Sequence, residues 1–173
     1  MTTLVVAGCT PEEPVESSPP STAPTTDPPL SDEQLLAEAR DAWDAYRAQV
    51  TAFAAEPASA TLEPLLDVAS PDFAAFLLEN FEDAADRRFH SEGRQTTVSF
   101  EPLDIDLESE AVTAAVCMDQ SEERIIGDEG TDLTPADREP LDSSTVEFET
   151  ADDESRLVVA GVSAFEGASD PCR

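Results

Sequence analysis

The chain has 173 residues, of which 39 are acidic and 9 basic, for a formal charge of -30; every basic residue is Arg. Such a charge excludes nucleic acid as a partner, because phosphate binding requires clustered Lys and Arg, and it disfavours direct adsorption of a folded domain to anionic lipid. The length accommodates one domain with residues to spare, and the hydrophobic share of 40%, reached mainly through Ala and Val, sets a modest core.

The first residues are apolar and end in Leu4-Val5-Val6-Ala7-Gly8-Cys9. This stretch resembles the lipobox of bacterial lipoproteins, where small side chains precede a cysteine so that a peptidase can take the backbone into a narrow site. The resemblance implies that Cys9 carries the lipid and that residues 1–8 are the remnant of a signal peptide. A secretory signal has a charged start and an apolar stretch of about 7–15 residues; the segment before Cys9 lacks Arg and Lys and is short. The expectation is therefore that translation begins further upstream. Residues 10–30 hold seven of the 14 prolines, with Ser, Thr and Glu. Such a composition cannot bury enough surface to fold, so residues 9–30 read as a lipidated cysteine and a tether holding one domain, residues 31–173, away from a membrane.

Ser31-Asp32-Glu33-Gln34 is a capping-box pattern. After it, Leu35, Leu36, Ala39, Trp43, Tyr46, Val50 and Phe53 follow at steps of three and four, with Glu38, Arg40, Asp41, Asp44 and Arg47 on the other side. The pattern predicts an amphipathic helix ending before Pro57. A second helix is expected around Thr61–Ala69, with Leu62, Leu65, Leu66 and Ala69 on one face. A third follows Ser70-Pro71, with Phe73, Phe76, Leu77 and Phe81 inward.

Past Gly93 the period changes to two. Thr97–Phe100, Leu103–Leu107 and Ala111–Met118 read as strands, and Glu123–Ile126 as a continuation of the same sheet. Gly127–Ser143 reads as a mobile loop. Thr145–Thr150 and Arg156–Phe165 are the last strands, joined by an acidic turn at Asp152–Glu154. Helices first and strands afterwards give an α+β fold, with helices on one face of a curved antiparallel sheet. This order of elements resembles the nuclear transport factor 2-like fold, a cone closed by a long first helix. Val116-Cys117-Met118-Asp119 together with Cys172 also resembles actinobacterial lipoproteins that carry such a domain.

With Cys9 taken by the lipobox, Cys117 and Cys172 remain, and export would place them in an oxidising compartment, where a disulfide between them is expected. A metal pair lacks further ligands: His90 is the sole imidazole. In the run Arg87-Arg88-Phe89-His90 it reads as a surface or capping residue beside a helix end rather than a base. Asp104, Asp106, Glu108 and Glu110 alternate as one solvated strand face, without the spacing of a Ca²⁺ loop.

These readings converge on a lipid-anchored, extracytoplasmic interaction module with no cofactor or catalytic residue of its own, held at the membrane and binding a protein or small molecule at the cell envelope. The alternative implied by the family is an isomerase or cyclase in which Asp119 abstracts a proton inside the cone and Tyr46 stabilises the oxyanion.

Overall fold

A computed structural model describes residues 31–151 and 156–173. Cys9, the tether and the acidic turn at Asp152–Glu154 lie outside these residues.

Helix α1 spans Asp32–Ala55. It opens on the expected capping box: Ser31 Oγ accepts from the Gln34 amide at 3.3 Å, and Gln34 Oε1 accepts from the Ser31 amide at 3.0 Å. Its buried residues are Leu35, Ala39, Trp43, Tyr46 and Phe53, with Leu36 and Val50 half-covered beside them. Helix α2 is one short turn, Leu62–Leu66, and α3 spans Pro71–Asp86. Here the expected apolar faces are corrected in part. Leu65, Ala69, Leu77 and Phe81 point inward, while Leu62, Leu66 and Phe76 are exposed. With only about 1.5 turns, α2 can turn a single leucine to the core, and Phe76 stacks on Phe73 at the surface, ring centroids 6.0 Å apart.

The strands are β1 (His90–Glu92), β2 (Thr96–Asp106), β3 (Ala111–Asp119), β4 (Arg124–Ile126), β5 (Leu141–Thr150) and β6 (Leu157–Ala164). The main curved sheet has the order β2-β3-β5-β6, antiparallel throughout. Strand β4 does not continue it. It pairs with β1 in a separate two-stranded ribbon, with His90 opposite Ile126. Gly93 makes that ribbon possible: its φ is +92°, and a Cβ there would stand 2.0 Å from the Glu122 carbonyl oxygen.

Val112, Ala114, Val116 and Met118 of β3, Phe100 of β2, Val146 and Phe148 of β5, and Leu157 and Val159 of β6 form the core with the helices. The helices thus cover one face of the sheet. The segment between α2 and α3 also closes part of the β6 edge, Ser70 donating its amide to Val159 O and Val159 donating to Val68 O, at 2.9 and 3.1 Å. On the other edge, β2 carries register shifts at Val98 and Leu103. Each shift inserts an unpaired residue and breaks the two-residue alternation, so both side chains are exposed although both lie in segments expected as strands.

Two further expectations change. Asp106 ends β2, and residues 107–110 are the turn to β3, so the four carboxylates are not a strand ladder. Asp106 instead accepts from the Glu108 and Ser109 amides at 2.8 and 3.3 Å and shapes the turn. The stretch after Gly127 is tied down by Arg138, whose guanidinium donates to Glu123 Oε2 at 3.0 Å, to Gln120 O at 2.7 Å and to Glu123 O. Strand β5 then starts at Leu141, inside the segment read as loop.

The sheet face away from the helices carries the C-terminal tail. Ser99, Cys117 and Ser143 are register partners across β2, β3 and β5. Ser99 Oγ donates to Pro171 O at 2.9 Å, and Ser143 Oγ to Asp170 Oδ1 at 2.5 Å. Between them Cys117 and Cys172 stand at disulfide distance, S–S 2.04 Å and Cα–Cα 5.1 Å.

Candidate functional site

Arg47, Val50, Thr51 and Ala54 occupy positions i, i+3, i+4 and i+7 of α1 and so share one face. That face looks across a cleft of about 380 Å³ to His90, Glu92 and Gly93 of the ribbon and to Gln95 and Glu123. Glu56, just past the helix, closes the far end. A second cleft of about 510 Å³ shares Arg47, Thr51 and Gln95 and continues toward Arg94 and Thr96. Arg47 therefore stands where the two clefts join.

The Arg47 guanidinium lies 5.8 Å from the Trp43 ring centroid, and its Nη2 donates to Gln95 Oε1. Its Nε is buried with no hydrogen-bond partner among the described residues. Burial pulls its pKa below the ordinary value, opposed by Tyr46 and then Glu123. An arginine nevertheless remains charged in a protein. Of the carboxylates that line the cleft, Glu123 pairs with Arg138 at 3.0 Å and Glu92 lies 3.5 Å from Arg124, while Glu56 has no arginine partner among the described residues.

Of the two arginines expected on the solvent side of α1, Arg40 is exposed, while Arg47 is half-buried. Arg40 donates to Phe100 O at 2.7 Å and sits 4.8 Å from the centroid of that ring. The two arginines are seven residues apart and flank the apolar stripe, where a long side chain can lay its stem over the core and direct its head inward. That spacing was the available signal; Gln95 had none, since only the ribbon's return brings it to α1.

His90 opens β1 rather than capping a helix end, and its Nε2 lies 3.4 Å from Glu92 Oε1 at the cleft rim. Tyr46 is buried between Trp43 and Phe73, at centroid distances of 5.4 and 6.0 Å, and burial pushes its pKa up to about 12. Asp119 ends β3 and accepts from the Ser121 amide at 2.9 Å; the contact with Ser121 holds its carboxyl below the usual aspartate range. A proton-abstracting carboxylate inside a cone would have its pKa raised by burial, so Asp119 has the opposite character to the one the isomerase reading requires. Among the described residues, no three His, Cys, Asp or Glu side chains gather as a metal site, and no helix is long and apolar enough to cross a membrane.

No family model matches the chain, and no curated protein matches it. Among solved structures, the chain is similar to the intermembrane space region of the chloroplast protein ARC6, at 8% identity and a TM-score of 0.54, covering 81% of this chain and 100% of that one. A de novo designed β-sheet protein aligns at 16% identity and a TM-score of 0.36, covering 80% of this chain and 94% of the design. At 8% identity the likeness to the ARC6 region is one of fold alone: helices packed on a curved, antiparallel four-stranded sheet, with a smaller sheet beside it.

Proposed function

We propose that this protein is a lipid-anchored binding module on the extracytoplasmic face of a bacterial cell envelope, without catalysis of its own, built on a nuclear transport factor 2-like cone. The observation that carries the reading is the Cys117–Cys172 pair at bonding distance, because disulfides persist in oxidising compartments. The lipobox-like Leu4–Cys9 and the Pro-rich segment behind it supply the matching anchor and spacer. Binding falls to the surface clefts, since Trp43, Tyr46, Phe100 and Phe148 fill the space between α1 and the sheet.

The anchor is tested with a secretory leader fused ahead of Leu4 and the products followed by membrane fractionation. The parent should sediment with membranes and enter solution only with detergent, whereas Cys9→Ala should be soluble. Equal membrane association of the two would overturn the anchor.

A further inference from the structure

We propose that the groove between α1 and the α2–α3 connection docks an amphipathic helix of a partner protein, its apolar face edged by Lys or Arg. The inference rests on the reading of the chain as a binding module, names the class of partner, and does not depend on the lipid anchor.

The groove is apolar at its floor and acidic at its rim. Glu38, Asp41, Ala42 and Ala45 stand at i, i+3, i+4 and i+7 of α1 and share one face, across the apolar stripe from Arg47 and Thr51. They look over a cleft of about 400 Å³ to Asp67 and Val68 of the connection and to Arg156 and Leu157 at the start of β6. Ala42 and Val68 are half-buried and Leu157 is buried, which makes the floor. At the rim, Arg156 lies 3.9 Å from Asp67, while Glu38 and Asp41 have no arginine partner among the described residues.

The apolar surface continues onto α3. Tyr46, beside Ala45, stacks on Phe73, and Phe73 on Phe76, each at 6.0 Å, so a row of rings leads from α1 to Phe76, which is 55% exposed. Asp72 and Glu79, at i−4 and i+3 from Phe76, border it on the same helix face and are exposed. Residues 62–86 hold seven carboxylates and no arginine or lysine. An apolar cleft and an exposed aromatic set among carboxylates complement an apolar helix face with cationic borders. The β6 margin beside the groove is already taken by Val68–Ser70, so the partner docks through side chains rather than as an added strand. A second copy of this chain would bring like charges together, and an anionic lipid surface is repelled as well.

The test uses the full ¹⁵N-labelled chain with its Cys117–Cys172 bond intact, at physiological ionic strength. The probe is a helical peptide with Leu on one face and Lys along both borders; its counterpart carries Glu for Lys. The Lys peptide should shift the Ala42, Ala45, Val68 and Phe76 amides saturably, and the Glu peptide should not. Phe76→Ser should weaken binding by about tenfold or more, and so should Glu38→Gln combined with Asp41→Asn. Glu101→Gln combined with Asp104→Asn removes the same charge from β2, three strand spacings or about 14 Å from β6. That lies beyond the screening length of about 8 Å, so this variant should lose less than about twofold. An equal loss in the two double variants would mean general attraction to an acidic surface and overturns the proposal. Absence of a saturable shift, equal binding of the Glu peptide, or a dimer of the chain that shifts the same amides overturns it too. Shifts gathered at Thr51, His90 and Gly93 instead would overturn this groove while leaving the binding-module reading in place. The fractionation of Cys9→Ala is independent of every one of these results.

Discussion

Arg138 shows how one side chain can order a segment whose composition reads as loop. It meets Glu123 at 3.0 Å, both side chains being less than one-fifth exposed, and it also takes two carbonyls. Removing one partner of a largely buried pair leaves the other charge uncompensated, so Arg138→Ala should destabilise the domain by about 3 kcal/mol. Replacing both partners with isosteres, as in Glu123→Gln with Arg138→Met, should recover much of that loss. Urea denaturation of the parent and the two variants checks both expectations; an Arg138→Ala curve overlying the parent's would refute them. Asp170 acts in the same way on the tail. The Ser143 hydroxyl first, then the Cys172 amide and Arg173, hold its carboxyl below the ordinary 3.8. A depressed native pKa gives stability that is present above the unfolded value and lost as pH falls through the native one. Asp170→Asn should therefore lower the melting temperature at neutral pH, with the gap to the parent closing as pH falls below 3.8. A gap that is constant across that window would show that the charge of Asp170 does not matter.

Among the elements, the tail depends most on a covalent constraint. Residues after β6 have no strand or helix of their own and lie on the sheet through Ser99, Ser143 and Cys117. The bond spans 55 residues; in the chain-entropy model, closing such a loop contributes at most about 4 kcal/mol. Cys172→Ser should lower the melting temperature by roughly 10 °C in a domain of this size, and hydrogen exchange should increase at Ser143 and Phe165 before the core. A melting temperature unchanged by the substitution would show that the serine contacts suffice. The sequence disclosed elements whose signal is local. The capping box and stripe of α1 are read from residues three and four apart, and β3 from a mostly apolar run broken only by Thr113 before Asp119. It did not disclose elements that depend on distant partners. His90–Glu92 carries no strand pattern and becomes β1 only because Arg124–Ile126 lies opposite. The shifts at Val98 and Leu103 belong to the pairing with β3, not to β2 itself. For the site, the two cysteines and the arginines of α1 were visible as residue types, whereas the unpaired Nε of Arg47 emerges only once the ribbon has folded over it.

On the scale of the whole molecule, charge dominates. The chain's net charge of -30, most of it carried by the domain, repels itself, and the ion pairs of its arginines offset only a fraction of that. Raising ionic strength from about 0.02 to about 0.5 M shortens the screening length from roughly 20 to 4 Å. Repulsion across the surface should weaken more than the short pairs do, and the melting temperature should rise by several degrees. A fall with added NaCl would mean that the ion pairs outweigh the repulsion. Repulsion also keeps copies apart, but the margins of the main sheet act at shorter range. One margin is partly occupied by Val68–Ser70, and the other, β2, is interrupted by Pro102 and by its two misregistered residues. A newcomer strand would find no long straight row of free amides and carbonyls on which to add. The domain can therefore be crowded at high local concentration on a surface without seeding a fibril, even when salt has removed the electrostatic barrier.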